Sequence, residues 1–401
     1  MKNSHGRSRS TVQGPWKYNQ GVDALSSVVR TVSMKTGFNK QRTMNDVSLK
    51  SGEVGVPASI YTFRELAAAT QNFNQEMLIG EGCFGRVYKG QLKHNNQIVA
   101  IKQLDKNVAE GNALEGNIEF LDEIVALSHV RHPNLVSLIG YCADGGQKIL
   151  VNEYISNGSL QDHLFNVSAE RPPLDWHSRM KIAKGAAQGL EYLHDTASPP
   201  IIFGDLKSSN ILLDDEFNAK LSDYGLFKLA LDNYNSNNFN KDHHRSMMVM
   251  ETYGHCAPEY AETGEATPKS DVYNFGVLLL EILSGRRAID TTMPTEEQHL
   301  VTWAHPIFND RKKFHLMADP LLENKYPRKG LYQAIAMAAM CLQEEANTRP
   351  LIADIATALE YLLYENFETN EMMYMTDAEL AQEFGYQQED DAEKQCNTST
   401  D

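Results

Sequence analysis

Gly80-Glu81-Gly82-Cys83-Phe84-Gly85-Arg86-Val87-Tyr88-Lys89-Gly90 is the stretch on which the fold turns. The spacing G-x-G-x-x-G marks two kinds of phosphate site. In dinucleotide-binding folds the third glycine opens a helix. Here Arg86-Val87-Tyr88-Lys89 continues as strand, the polar turn His94-Asn95-Asn96-Gln97 follows, and a second strand, Val99-Ala100-Ile101-Lys102, ends in a lysine. That context selects a glycine hairpin folded over phosphates: a backbone bare of side chains can approach them closely, with an ammonium beneath.

A lysine buried there needs a carboxylate, because desolvation otherwise drives it toward the neutral form. Glu123, on a helical stretch from Asn117 to Ser128 whose apolar face is Phe120, Ile124 and Leu127, is the expected partner; Glu119, one turn earlier, is the alternative. Further along, Asp205-Leu206-Lys207-Ser208-Ser209-Asn210 supplies an aspartate able to accept a hydroxyl proton, a lysine for a terminal phosphate and an asparagine oxygen for a metal ion. Asp223-Tyr224-Gly225 adds a second metal carboxylate. Oxygen ligands suit a hard ion such as Mg²⁺, with Mn²⁺ a substitute. Singly, Asp205 reads as a turn cap and Lys102 as a solvated strand end. Jointly, four motifs in one order with agreeing strand, loop and helix contexts point to phosphoryl transfer.

Composition sets the frame. The 401 residues, 42% apolar and 22% charged, suit a large folded unit with tails. The formal charge of −16 is uneven: residues 1–60 carry +6 and residues 365–401 carry −10. A net acidic chain excludes a nucleic-acid binder, which needs a basic face to neutralise phosphates. The longest apolar run, Val277 to Leu280, is far short of the roughly 20 residues of a membrane span. No secretory leader is read at Met1-Lys2-Asn3-Ser4, and a cytoplasmic location is expected. Cys83, Cys142, Cys256, Cys341 and Cys396 are odd in number and scattered, as reduced thiols would be.

Residues 1–60 read as a basic, Ser/Thr-rich disordered extension whose charge could touch an anionic membrane surface. Phe63, Leu66, Ala67, Thr70 and Phe73 predict a short helix ahead of the first strand. Asp175 predicts the cap of a helix carrying Met180, Ala183, Ala187, Leu190 and Leu193 on one stripe until Pro199-Pro200. Val272 to Leu283 and Leu331 to Leu342, apolar nearly all round, predict central buried helices. The acidic tail, residues 365–401, is expected to be mostly disordered, with a short helix near Met372 to Phe384.

On these motifs the sequence resembles a eukaryotic protein kinase and is similar to the plant receptor-like cytoplasmic kinases. Thr62-Phe63-Arg64-Glu65-Leu66, His132-Pro133-Asn134-Leu135-Val136, Gly140-Tyr141-Cys142, Ser209-Asn210-Ile211-Leu212-Leu213-Asp214, Ala257-Pro258-Glu259, Asp271-Val272-Tyr273 and Thr348-Arg349-Pro350 carry the likeness. It implies an α+β, two-lobed protein-kinase fold over residues 61–364, with a small antiparallel β-rich N-lobe and a larger, mainly α-helical C-lobe; the kinase domain proper starts near Asn74. It implies ATP against Gly80, Glu81, Gly82, Gly85, Val87, Ala100, Lys102 and Glu153, metal on Asn210 and Asp223, and catalysis by Asp205, Lys207, Lys102 and Glu123. Lys207 suggests serine/threonine specificity. Glu259 is expected to pair with Arg349, and Asp271 to lie beneath the catalytic loop. Partners would be protein substrates and an upstream receptor kinase.

The sequence also departs from that family's pattern. Lys2 stands where an acylated glycine often does, so no acylation motif supports membrane attachment. Gly204 precedes the catalytic aspartate in place of arginine, and Met247 and Met248 replace a phosphorylatable threonine and an arginine. A phosphate without an arginine partner adds charge without ordering a loop, so activity independent of loop phosphorylation is expected, with Ser246 the remaining candidate site. Glu251 replaces a glycine before Thr252, on the peptide-docking surface. Asn152 replaces tyrosine behind the adenine pocket, and Tyr224 replaces phenylalanine. An active serine/threonine kinase is the first reading and a nucleotide-binding scaffold of kinase fold the second; a small-molecule kinase is disfavoured by Ala257-Pro258-Glu259.

Overall fold

The computed structural model describes residues 58–105, 115–144, 146–168, 171–228 and 254–368. Residues 1–57 of the basic head and residues 369–401 of the acidic tail, with its expected helix, lie outside the described residues, as do Ser246, Met247, Met248, Glu251 and Thr252. In the first lobe, Thr62 caps α1 (Phe63–Ala69) by a reciprocal capping box with Glu65. Five longer strands follow, β2 (Leu78–Gly82), β3 (Gly85–Gln91), β4 (Ile98–Leu104), β5 (Leu138–Cys142) and β6 (Ile149–Glu153), with α2 (Glu115–Ser128) between β4 and β5.

These strands pair antiparallel, but the sheet runs β1-β5-β6-β4-β3-β2 because a two-residue strand, β1 (Ser59–Ile60), adds in parallel to β5. The sheet is otherwise antiparallel, as expected; the correction is that Ser59 and Ile60, at the end of the stretch expected to be a disordered extension, are strand. Two residues carry no readable period, and the pairing depends on Gly140, where a Cβ would stand 2.3 Å from the Ser59 carbonyl and 2.5 Å from the Tyr61 ring. Tyr61, Leu66, Val99, Ile101, Ile149 and Val151 form the small core that fixes α1 on the sheet.

The second lobe is helical. Asp175 caps α4 (Trp176–Glu191), accepting from the Ser178 N–H at 2.8 Å, and Met180, Ala183, Ala187 and Leu190 on its stripe are fully buried. Between α4 and the small lobe lie α3 (Leu160–Phe165) and the hairpin β7 (Ile211–Leu213) and β8 (Ala219–Leu221). The helices α5 (Pro258–Thr263), α6 (Pro268–Ser284), α7 (Leu300–Phe308), α8 (Arg328–Cys341) and α9 (Ile352–Glu368) complete the lobe. As expected from their all-round apolar sequence, α6 and α8 are its centre. Among the described residues no helix is long and apolar enough to cross a membrane.

Candidate active site

The cleft between the two lobes has a volume of about 420 Å³. Every expected nucleotide-contacting residue lines it: Gly80, Glu81, Gly82, Gly85, Val87, Ala100, Lys102 and Glu153. So do Asp205, Lys207, Asn210 and Asp223 from the opposite wall. The three glycines are not equivalent. Gly85, at φ +128°, is demanded by the hairpin itself, because a Cβ there would lie 2.1 Å from the Gln103 carbonyl. Gly82 has open space and Gly80 only ordinary contacts, so packing does not require glycine at either, and their bare backbone faces the cleft. Phe84, between Gly82 and Gly85 in sequence and buried, places its ring centroid 5.3 Å from the Lys102 Nζ, a contact that sequence reasoning missed.

The expected partner of Lys102 is corrected. Its buried Nζ donates to Asp223 Oδ2 at 2.7 Å, while the Glu123 carboxylate is held by Lys228 at 3.0 Å. Each buried charge still has a counter-charge, as desolvation demands, but the carboxylate that comes within reach of Lys102 is Asp223. Glu123 nevertheless stays beside the metal-carboxylate turn: a Cβ on Gly225 would lie 3.0 Å from its Oε1. It does not line the cleft. The side chain of Glu119 is not among those described. Glu153 also differs in manner, because its carboxylate is engaged by the Ser137 N–H at 2.8 Å and by Lys220 at 3.0 Å.

Asp205 is the focus of the lower wall. It is 4% exposed; its Oδ2 accepts from Lys207 Nζ at 2.9 Å and from Asn210 Nδ2 at 3.0 Å, and its buried Oδ1 has no hydrogen-bond partner. Burial pushes its carboxyl above the ordinary value, against the opposing pull of Lys207, Asn210 and His255. The backbone before it is tied from below: the Asp271 carboxylate, fully buried, accepts from the Phe203 and Gly204 N–H groups, both at 2.8 Å, and meets His194 Nε2 at 2.7 Å. Asp271 thus lies where expected; His194, which shares it, had no local signal.

Asn210 sits at the end of a 3₁₀ turn, Ser208–Asn210. Because its amide nitrogen donates to the Asp205 carbonyl and carboxylate, its carbonyl oxygen is the end left for a cation. Asp223, at φ +67°, adopts a left-handed conformation that aspartate tolerates, and only one of its oxygens meets Lys102. Two such oxygens fit a hard divalent ion shared with phosphate and water. Tyr224 is buried with its hydroxyl donating to the Val136 carbonyl. Asn152 lines the cleft. Glu259 meets Arg349 through two hydrogen bonds of 2.6 and 2.7 Å, as expected.

A family model described as protein tyrosine and serine/threonine kinase matches residues 73–359. The probable serine/threonine-protein kinase PBL23 of Arabidopsis thaliana is 57% identical over 344 residues, 85% of this chain and 86% of that protein. The serine/threonine-protein kinase PBS1 of the same plant is 51% identical over 367 residues, 92% of this chain and 77% of that protein. The probable serine/threonine-protein kinase PBL7 is 58% identical over 321 residues, covering 80% and 82%.

Proposed function

Since the chain belongs to the protein tyrosine and serine/threonine kinase family, we propose that its cleft transfers the γ-phosphate of ATP to serine and threonine hydroxyls of proteins by the roles that follow. Kinases of this family use ATP and a divalent metal ion; the oxygens of Asn210 and Asp223 would hold Mg²⁺, which would offset negative charge on the phosphates. Gly80 and Gly82 present backbone to the phosphates, Val87 and Ala100 pack on the base, and Glu153 offers it main chain rather than carboxylate. Lys102 binds phosphate, and Glu123 is its reserve counter-charge once Asp223 turns to the metal.

The observation that carries the reading is the unpartnered Oδ1 of Asp205 at a wall shared with Lys207 and Asn210. The substrate hydroxyl gives its proton to that oxygen as its own oxygen bonds to the γ-phosphorus, and the bond to the β-phosphate oxygen breaks to release ADP. Lys207, on the other carboxylate oxygen, opposes the upward push of burial on Asp205 and faces the transferred group. The kinase domain spans residues 61–364, flanked by the basic head and acidic tail, and acts in the cytoplasm below a receptor kinase.

The test is Mg-ATP-dependent phosphorylation of the chain itself and of a generic basic protein, run beside Asp223→Asn. Incorporation by the parent alone, on serine and threonine, is expected. No incorporation by either, with ATP still raising the parent's Tm, would sink the catalytic reading in favour of a nucleotide-binding scaffold.

A further inference from the structure

Gly204 immediately precedes Asp205 and carries no side chain to anchor it. Glycine is the residue with most backbone freedom to lose, so something else must hold the loop if Asp205 is to stay in place. One support is the Asp271 carboxylate on the Gly204 N–H. The other is aromatic. Gly204 stands at φ +76°, and a Cβ built on it would fall 2.3 Å from both Cγ and Cδ1 of Phe227, so the ring rests directly on the glycine. Phe227 is 3% exposed, four residues beyond Asp223, and its ring centroid is 5.7 Å from that of Tyr260 on α5. With Ala257 and Tyr260 it forms a separate apolar cluster, flanked by Cys256 and Tyr273.

We propose that Phe227 is a positioning residue for phosphoryl transfer: its ring fills the space above Gly204, clamps the backbone of the Asp205 loop against Asp271, and ties that loop to the metal-carboxylate turn and α5. The inference rests on the kinase reading of Asp205. Its physical content is a mutual requirement. A side chain at position 204 leaves no room for the ring, and loss of the ring leaves a glycine free beside the catalytic base. Such an apolar clamp orders the loop without a phosphate and an arginine, the pair of groups that Gly204, Met247 and Met248 remove.

The test uses the full chain as parent, Phe227→Ala, Phe227→Leu, Gly204→Ala and the Gly204→Ala/Phe227→Ala pair. Phe314→Leu, buried in the second lobe against Tyr332 and away from the cleft, controls for stability alone. Rates on a generic basic protein, KM for ATP, Tm and its rise with Mg-ATP are measured. Phe227→Ala is expected to lower kcat on the order of 10²-fold, the cost of a misplaced catalytic group, with KM for ATP and the Mg-ATP shift retained. Phe227→Leu should recover part of that rate, and it carries the test if the alanine variant does not fold. Gly204→Ala should lower kcat in the parent but hardly in the Phe227→Ala background, a coupling on the order of tenfold.

An unchanged kcat in Phe227→Ala, strictly additive losses, or an equal loss in Phe314→Leu would each overturn the clamp while leaving the kinase reading intact. A parent that transfers no phosphate would overturn both.

Discussion

Replacing Glu259 by glutamine changes one oxygen to an amide and tests how the second lobe is locked. The Arg349 side chain is fully buried, and its guanidinium donates to both Glu259 oxygens at 2.6 and 2.7 Å and to the carbonyls of Gln343, Lys269 and Glu344 at 2.8 to 3.1 Å. If Glu259 becomes neutral, the buried cation keeps only neutral carbonyl acceptors and the Tyr273 ring, with no counter-charge. Removing one partner of a buried pair costs about 3–5 kcal/mol, so Tm should fall by roughly 5 to 8 °C in a domain of this size. Scanning calorimetry at neutral pH measures it.

The pH dependence gives a second readout. Burial pushes the Glu259 carboxyl up, but the Arg349 hydrogen bonds and charge outweigh it and hold the group below its usual 4.5. A depressed folded pKa contributes stability above the unfolded value and loses it as pH falls through the folded one. The gap between parent and Glu259→Gln should therefore be widest above pH 4.5 and narrow below it. A fall of less than about 2 °C at neutral pH, the scale of an exposed pair, would refute the reasoning.

Lys207→Met should slow transfer and move the acidic limb of the kcat–pH profile upward, since burial already raises the Asp205 carboxyl and Lys207 opposes it; an unmoved limb would count against Asp205 as proton acceptor. Gly140→Ala should displace β1, because the new methyl meets the Ser59 carbonyl at 2.3 Å; faster hydrogen exchange at the Tyr61 N–H, which now donates to Tyr141 at 2.8 Å, is the readout, and unchanged exchange would contradict it. Treating the purified chain with a phosphatase should leave its rate unaltered, whereas a collapse of the rate would show that loop phosphate is required.

The sequence alone determined a great deal. The glycine hairpin, Lys102, Asp205, Lys207, Asn210 and Asp223 are readable because their chemistry sits in short motifs, and the structure gathers all of them around one cleft. Asp175 as a helix cap and α6 and α8 as central helices are equally local, being set by side-chain reach and period. What only the tertiary structure decided is pairing across long stretches of chain. Lys102 finds Asp223 121 residues away, and Glu123 finds Lys228 105 residues away, although sequence logic joins Lys102 to Glu123. A buried charge takes whichever counter-charge packing brings within reach, and no motif records that distance. The same holds for β1, which exists because Gly140 lets a backbone approach, and for Phe227, whose ring has meaning only against Gly204. Residue chemistry is written along the chain, whereas contact geometry appears only when the chain has closed on itself.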